Sequence, residues 1–239
     1  MSTLLAFDTA TEQMSIAVAV GERVFTHEAA GGALASATLI PAILALLAQA
    51  GVGLGDLDAI AFGRGPGAFT GLRTACSVAQ GLSFGAGKPV LPIDTLLAVA
   101  EDSRGDAEVW RVWVAMDARM NEIYAAQYAF ANGRWQVLDA PLLITPEALN
   151  ERWSSAPPQV VAGNAVAAFG ALLRPGEAAV IRSDARPTAR AMLPLARALW
   201  LAGDAVDAAL ALPLYLRDKV AQTTVEREAA RLAKLEATT

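Results

Sequence analysis

GRGPGAFTGLR, residues 63–73, holds four of the chain's 19 glycines. Gly63, Gly65 and Gly67 alternate with Arg64 and Pro66, and Gly71 follows Phe69 and Thr70. Residues 57–62 before it read as a strand and residues 70–84 after it as a helix, so residues 63–69 form a glycine-rich corner between them. Glycine permits positive φ and close backbone approach. Exposed N–H groups at a helix start can bind an anion. No Gly-Lys-Ser/Thr follows, however, so this is not a Walker loop. The second reading of the same residues is a stiff strand-to-helix turn whose glycines admit a neighbouring helix.

Working outward, residues 4–7, 15–20 and 23–28 read as strands, with a polar loop at 9–14. Gly21-Glu22 suits a two-residue hairpin turn that has glycine first. A Gly/Ala loop at 30–35 leads to a helix capped by Ser36 or Thr38, running to about Ala50 and ended by Gly51 and Gly53. Downstream come a strand at 89–93 and a helix starting at 95–100, so the order is β-β-β-α-β-α-β-α. The polar EDSRGD, residues 101–106, reads as a linker.

The same order then recurs. Strands are expected at 110–116, 122–128 and 135–140, the last two around Asn132-Gly133. Thr145-Pro146-Glu147 is a helix start with Thr as cap and Pro in the first turn. Strands at 159–162, 179–182 and 214–216 alternate with helices at 165–173 and 189–202, and a charged helix is expected at 224–235. In each half a strand ends in Asp (Asp8, Asp117), followed by a polar loop and a second strand. Self-similarity of this kind marks duplication. Hairpins followed by alternating helices and strands give a mixed sheet with helices on both faces. The fold class is α/β, with lobes at 1–102 and 103–239, and two such lobes in tandem resemble the actin-like ASKHA (RNase H-like) superfamily.

Composition narrows the function. Hydrophobic residues make up 54% and charged residues 18%, enough to build a large core and to exclude wholesale disorder. The net charge of −5 argues against a surface that grips nucleic acid everywhere, so any RNA contact is expected to be local or indirect. One cysteine allows no disulfide framework and points to the cytosol. The N-terminal MSTLLAFDTATEQ lacks a basic n-region, so no signal peptide is expected, and no apolar run is long enough to span a membrane. With one histidine, His27, in a strand pattern and Cys76 in a helix pattern, neither a His/Cys zinc site nor a Cys–His nucleophile pair is expected.

Two sets of candidate residues remain. At Asp8-Thr9-Ala10-Thr11, an Asp at a strand end could hold Mg²⁺ through water, and Thr hydroxyls could hold phosphate oxygens. The alternative is a turn in which Asp8 accepts from nearby backbone donors. Asp8, Thr9 and Thr11 are therefore candidates for weak ATP or ADP binding. The second set is helical. Leu39, Ile40, Ile43, Leu44, Leu46 and Leu47 cover more than one face of the first helix, whereas a surface helix usually carries a narrower stripe. On the helix after the glycine corner, Gly71, Ala75 and Ala79 form a small-residue row beside Ser77, Gly81 and Gly85, with Leu72, Val78 and Leu82 as apolar grip. Such surplus points to deep burial or to a partner. The expected partner interface is Leu39, Ile40, Ile43, Leu47, Gly71, Leu72, Ala75, Val78, Ala79 and Leu82.

In order along the chain, LLAFDTATEQMSIAV, AFGRGPGAFTGLR, Gln80-Gly81-Leu82, VAMDARMNEIYAAQY and PLYLR resemble the TsaB family. The resemblance implies a two-lobed ASKHA fold with no catalysis of its own. It implies assembly with TsaD, which transfers the threonylcarbamoyl group to adenosine at position 37 of tRNAs reading ANN codons, and with the ATPase TsaE. By the same resemblance the first two helices pack on TsaD or on a second copy in a homodimer, tRNA is touched only indirectly, and ATP and metal are used by the partner subunits. TsaD carries a histidine pair on its first long helix that binds a metal; residues 35–48 here contain no histidine. Many TsaB sequences keep one histidine near that helix start, where this chain has Ala35-Ser36. An ATP-using relative would have a glycine-rich second corner and a later double glycine; here the corner is Asp117-Ala118-Arg119 and only Gly163-Asn164 follows. Two enzymatic alternatives are a glycoprotease-like peptidase, which needs a nucleophile–base pair or a metal, and an ATP-binding ASKHA enzyme, which needs phosphate loops in both lobes.

Overall fold

The structure is a computed structural model and describes residues 2–217; the expected helix at 224–235 lies outside the described residues. The first half runs β1 (Thr3–Asp8), β2 (Gln13–Val20), β3 (Arg23–Ala30), α1 (Ala35–Ala50), β4 (Ala59–Gly65), α2 (Phe69–Ala86), β5 (Val90–Asp94) and α3 (Thr95–Arg104). The second half repeats it as β6 (Trp110–Asp117), β7 (Ile123–Ala131), β8 (Arg134–Ile144), α4 (Pro146–Ser155), β9 (Val160–Ala162), α5 (Ala165–Phe169), β10 (Val180–Arg182) and α6 (Ala189–Ala202). The sheets have matching orders, β3-β2-β1-β4-β5 and β8-β7-β6-β9-β10. In each, a hairpin pairs antiparallel and two later strands add in parallel. The duplicated α/β lobe is thus present.

Local chemistry explains the joints. Gly21 takes φ 60° in the β2–β3 turn, and Asn132 and Gly133 take φ 54° and 73° between β7 and β8, as a primed turn requires. Gly51 closes α1 at φ 77° with its N–H returned to Ala48 and Leu47. Thr145 caps α4, its hydroxyl accepting from the Ala148 N–H at 3.3 Å. Neither Ser36 nor Thr38 stands at the cap of α1; Leu34 does, after a short 3₁₀ turn, and the Thr38 hydroxyl donates back to the Leu34 carbonyl at 2.9 Å.

Two expectations need correction. Residues 101–106 are not a linker: α3 continues through Arg104, and the lobe division at 102/103 falls inside that helix. Its polar residues are satisfied internally, so polarity misleads here. Glu101 is buried and accepts from Trp135 Nε1 at 2.7 Å and from Arg104 Nη2 at 2.5 Å, while the Ser103 hydroxyl accepts from Trp110 Nε1 at 3.1 Å. Residues 214–216 are not a strand; they run extended across the glycine corner, with the Leu214 N–H donating to the Arg64 carbonyl at 2.7 Å.

The halves exchange helices. Leu96, Val99 and Ala100 of α3 pack with Val112, Val114, Ala126 and Tyr128 of the second sheet. Met192, Leu195 and Ala196 of α6 pack with Leu4, Ala6, Ala17 and Ala61 of the first. The alanines on that sheet face keep it shallow enough to admit a helix. The opposite face of the first sheet is covered by α1 and α2.

Candidate functional site

The first corner is closed by its own loop. Asp8 ends β1 with its side chain buried; Oδ1 accepts from the Ala10 N–H at 2.7 Å and Oδ2 from the Thr95 hydroxyl at 3.1 Å. Burial raises its pKa from 3.8 to about 6, with those two bonds acting in the opposite direction. The Thr9 hydroxyl donates to the Gly71 carbonyl at 2.7 Å, and the Ala68 N–H donates to the Ala10 carbonyl at 2.8 Å. A Cβ on Gly63 would stand 1.8 Å from Asp8 Oδ2, and one on Gly71 would stand 1.8 Å from the Thr9 carbonyl oxygen. These glycines therefore make a close-packed turn, as the second reading has it, but the neighbour they admit is the β1–β2 corner and not a helix. Of the three candidate phosphate-binding residues, Asp8 and Thr9 are buried against residues 63–71, and Thr11 is hydrogen-bonded to its neighbour Gln13 at 3.2 Å.

The second corner is a turn as well. Arg119, Met120 and Asn121 take φ 63°, 56° and 59° in succession. The Ala118 N–H donates to the Glu122 carbonyl at 2.9 Å and the Glu122 N–H to the Arg119 carbonyl at 3.1 Å. The pair Gly163-Asn164 braces β6: the Asp117 N–H donates to Asn164 Oδ1 at 2.9 Å, and a Cβ on Gly163 would stand 2.5 Å from the Ala115 carbonyl oxygen. Arg119 reaches across to pair with Glu12 of the first corner. A cavity of about 170 Å³ lies between the corners, lined in part by Phe69, Tyr124, Tyr215 and Arg217.

The helical candidates divide by face. Leu39, Ile43 and Leu47 of α1 and Gly71, Leu72, Ala75 and Ala79 of α2 are buried in this chain's own lobe. As exposed docking residues they are corrected: the small-residue row lies underneath, where Gly71 meets Thr9 and Ala75 and Ala79 meet the core. Val78 and Leu82 are half-buried at the edge of that core. The outer side carries Ile40 (42% exposed), Leu44 (47%) and Phe84 (88%), with Leu34 beside the start of α1. Leu44, which belongs to the surplus apolar set of the first helix, and Phe84 are exposed although neither is among the expected interface residues. The available signal was phase: Ile40 and Leu44 are four apart and out of step with Leu39, Ile43 and Leu47.

The remaining chemistry is dispersed. His27 is exposed on β3, whereas the Cys76 thiol is buried, donates to the Ala211 carbonyl at 2.5 Å, and has its pKa raised by burial. Among the described residues no three His, Cys, Asp or Glu side chains converge, and no helix is long and apolar enough to cross a membrane.

Comparison with known proteins agrees with this architecture. The family model described as "TsaD: tRNA N6-adenosine threonylcarbamoyltransferase" matches residues 31–225. The tRNA threonylcarbamoyladenosine biosynthesis protein TsaB of Escherichia coli (strain K12) is 34% identical over 227 residues, spanning 91% of this chain and 96% of that one. The Haemophilus influenzae protein of the same name is 37% identical over 233 residues, spanning 91% and 94%. Among solved structures, YeaZ from Pseudomonas aeruginosa superposes with TM-score 0.82 at 38% identity, covering 90% of this chain and all (100%) of that one. With its duplicated lobes, its glycine corner folded on β1–β2 and near-full-length likeness to these proteins, the chain belongs to the TsaB (YeaZ) family of tRNA threonylcarbamoyladenosine biosynthesis proteins.

Proposed function

We propose that this chain is a non-catalytic scaffold in threonylcarbamoyladenosine formation, working in the cytosol and docking a TsaD-type subunit on the outer face of α1 and α2. The observation that carries this reading is the exposure of Ile40, Leu44 and Phe84 on helices whose inner faces already fill the core. Apolar side chains left outside a completed core favour association. A standard interface buries roughly 1,200–2,000 Å² in total, more than one helix face supplies, so both helices take part. TsaE joins that pair in this proposal, and tRNA is held by the partner. A second copy of the chain competes for the same face when TsaD is absent.

The case against catalysis is chemical. A peptidase needs a base beside its nucleophile, and Cys76 faces a backbone carbonyl in the core. A nucleotide at the first corner would have to displace the bonds Asp8 and Thr9 make within the chain. ATP with Mg²⁺ should give no binding heat tighter than roughly 1 mM on the isolated protein. A micromolar constant would reverse that assignment.

Docking is tested on the exposed face. Leu44→Arg places a charge at the centre of the proposed contact, where desolvation costs several kcal/mol. Co-purification of TsaD should be lost while the melting temperature stays within about 2 °C of the parent, as expected for an exposed site. TsaD retained at parental yield by Leu44→Arg and by Phe84→Glu would sink the proposal.

A further inference from the structure

We propose that residues 212–217 are a strap that ties the two lobes together across the cleft, with Arg217 as its clasp on the turn at residues 118–122. The strap starts on the first lobe, where the Ala211 carbonyl accepts from Cys76 Sγ at 2.5 Å and Gln80 Nε2 at 3.1 Å. The Leu214 N–H then donates to the Arg64 carbonyl at 2.7 Å, and the Leu214 carbonyl lies so near Gly65 that a Cβ there would stand 2.7 Å from it. Tyr215 packs on Phe69 with ring centroids 5.2 Å apart, and its hydroxyl accepts from Arg73 Nε at 3.3 Å. The Arg73 guanidinium covers the same Phe69 ring at 3.8 Å. Every one of these contacts is to the first lobe.

Two residues on, the chain grips the second lobe. Arg217 Nη2 donates to the Ala118 carbonyl at 3.1 Å, the Arg119 carbonyl at 3.3 Å and Glu122 Oε2 at 2.5 Å. One guanidinium nitrogen thus collects two carbonyls of a left-handed turn and the carboxylate that ends it. Residues 119–121 all bear side chains at positive φ, a conformation such residues avoid unless their surroundings impose it. Arg217 is such an imposing partner, and its side chain is largely shielded, at 16% exposed. Among the described residues the other ion pairs between the halves are outside. Glu12–Arg119, Glu28–Arg186 and Glu22–Arg197 are exposed and screened by solvent, so they hold the lobes weakly. The glycine corner and the 118–122 turn are therefore coupled through six residues of chain, and lifting the strap would open the cavity between them. This inference does not rest on the docking face, which lies on α1 and α2.

Hydrogen exchange on the full chain tests it. Arg217→Ala should raise amide exchange in residues 63–73 and 117–124 together, by about tenfold or more, while β2 and β5 stay protected. Tyr215→Ala, which loosens the other end, should raise exchange in the same two segments. Arg217→Lys keeps the charge but lacks the planar fork, so it should fall between parent and Arg217→Ala. A response confined to one segment, no response in either, or a uniform rise that includes β2 and β5 would overturn the strap. If Arg217→Ala does not fold, Arg217→Lys and Tyr215→Ala give the same paired readout.

Discussion

Asp8 sits where its charge is least welcome, under Gly63 and away from water. Its folded carboxyl ionises near pH 6 against 3.8 for an unhindered one, so between those values the native state holds a proton that the unfolded chain has lost. Stability from this group is full below about pH 4 and is lost as pH rises through 6, a change of about 3 kcal/mol. Asp8→Asn should flatten that slope in urea melts and leave the protein more stable than the parent at pH 7. An unchanged slope would rule Asp8 out as its source. Glycines make the complementary test. Gly71→Ala drives a Cβ into the Thr9 carbonyl, which is backbone and cannot swing aside, and should cost about 3 kcal/mol. Gly81→Ala on the open side of the same helix meets nothing within 4 Å and should gain about 1 kcal/mol from helix propensity. Thermal melts should therefore move in opposite directions. The sequence shows that residues 63–73 demand glycine. It does not show why, because the atoms that Gly63, Gly67 and Gly71 avoid belong to β1 and the β1–β2 turn, some sixty residues earlier, and Gly65 meets the Leu214 carbonyl far downstream.

At the scale of elements, strands and helices were legible because their signals are local: Gly51 after α1, Asn132-Gly133 between β7 and β8, Thr145-Pro146 before α4. Faces were less so. Small residues at Gly71, Ala75 and Ala79 suit close approach by any neighbour, and the neighbour proves to be the chain's own sheet and core. Ala75→Arg should accordingly unfold the first lobe, whereas Ile40→Arg should leave the melting temperature almost unchanged and weaken partner binding. Circular dichroism melts alongside a TsaD pull-down separate the two effects. Equal destabilisation by both substitutions would contradict the inside–outside assignment of α1 and α2.

For the whole molecule, the exchange of α3 and α6 has a direct consequence. Residues 1–102 alone would leave Leu4, Ala6, Ala17 and Leu91 uncovered where α6 belongs. That fragment should be unfolded or aggregated, and the intact chain should melt in one cooperative transition. Two calorimetric transitions, or a folded fragment by NMR, would refute the interlock. The chain's own residues determined the element order, the duplication, the turn positions and the family, because periodicity, capping and turn chemistry act over a few neighbours. Tertiary structure alone decided that residues 101–104 are helix and partly core, that Asp8 and Thr9 are enclosed by the glycine corner, which helix faces stay exposed, and that residues 212–217 bridge the lobes. Burial and hydrogen-bond partnership depend on atoms brought from far along the chain, and no local pattern encodes which of them will arrive.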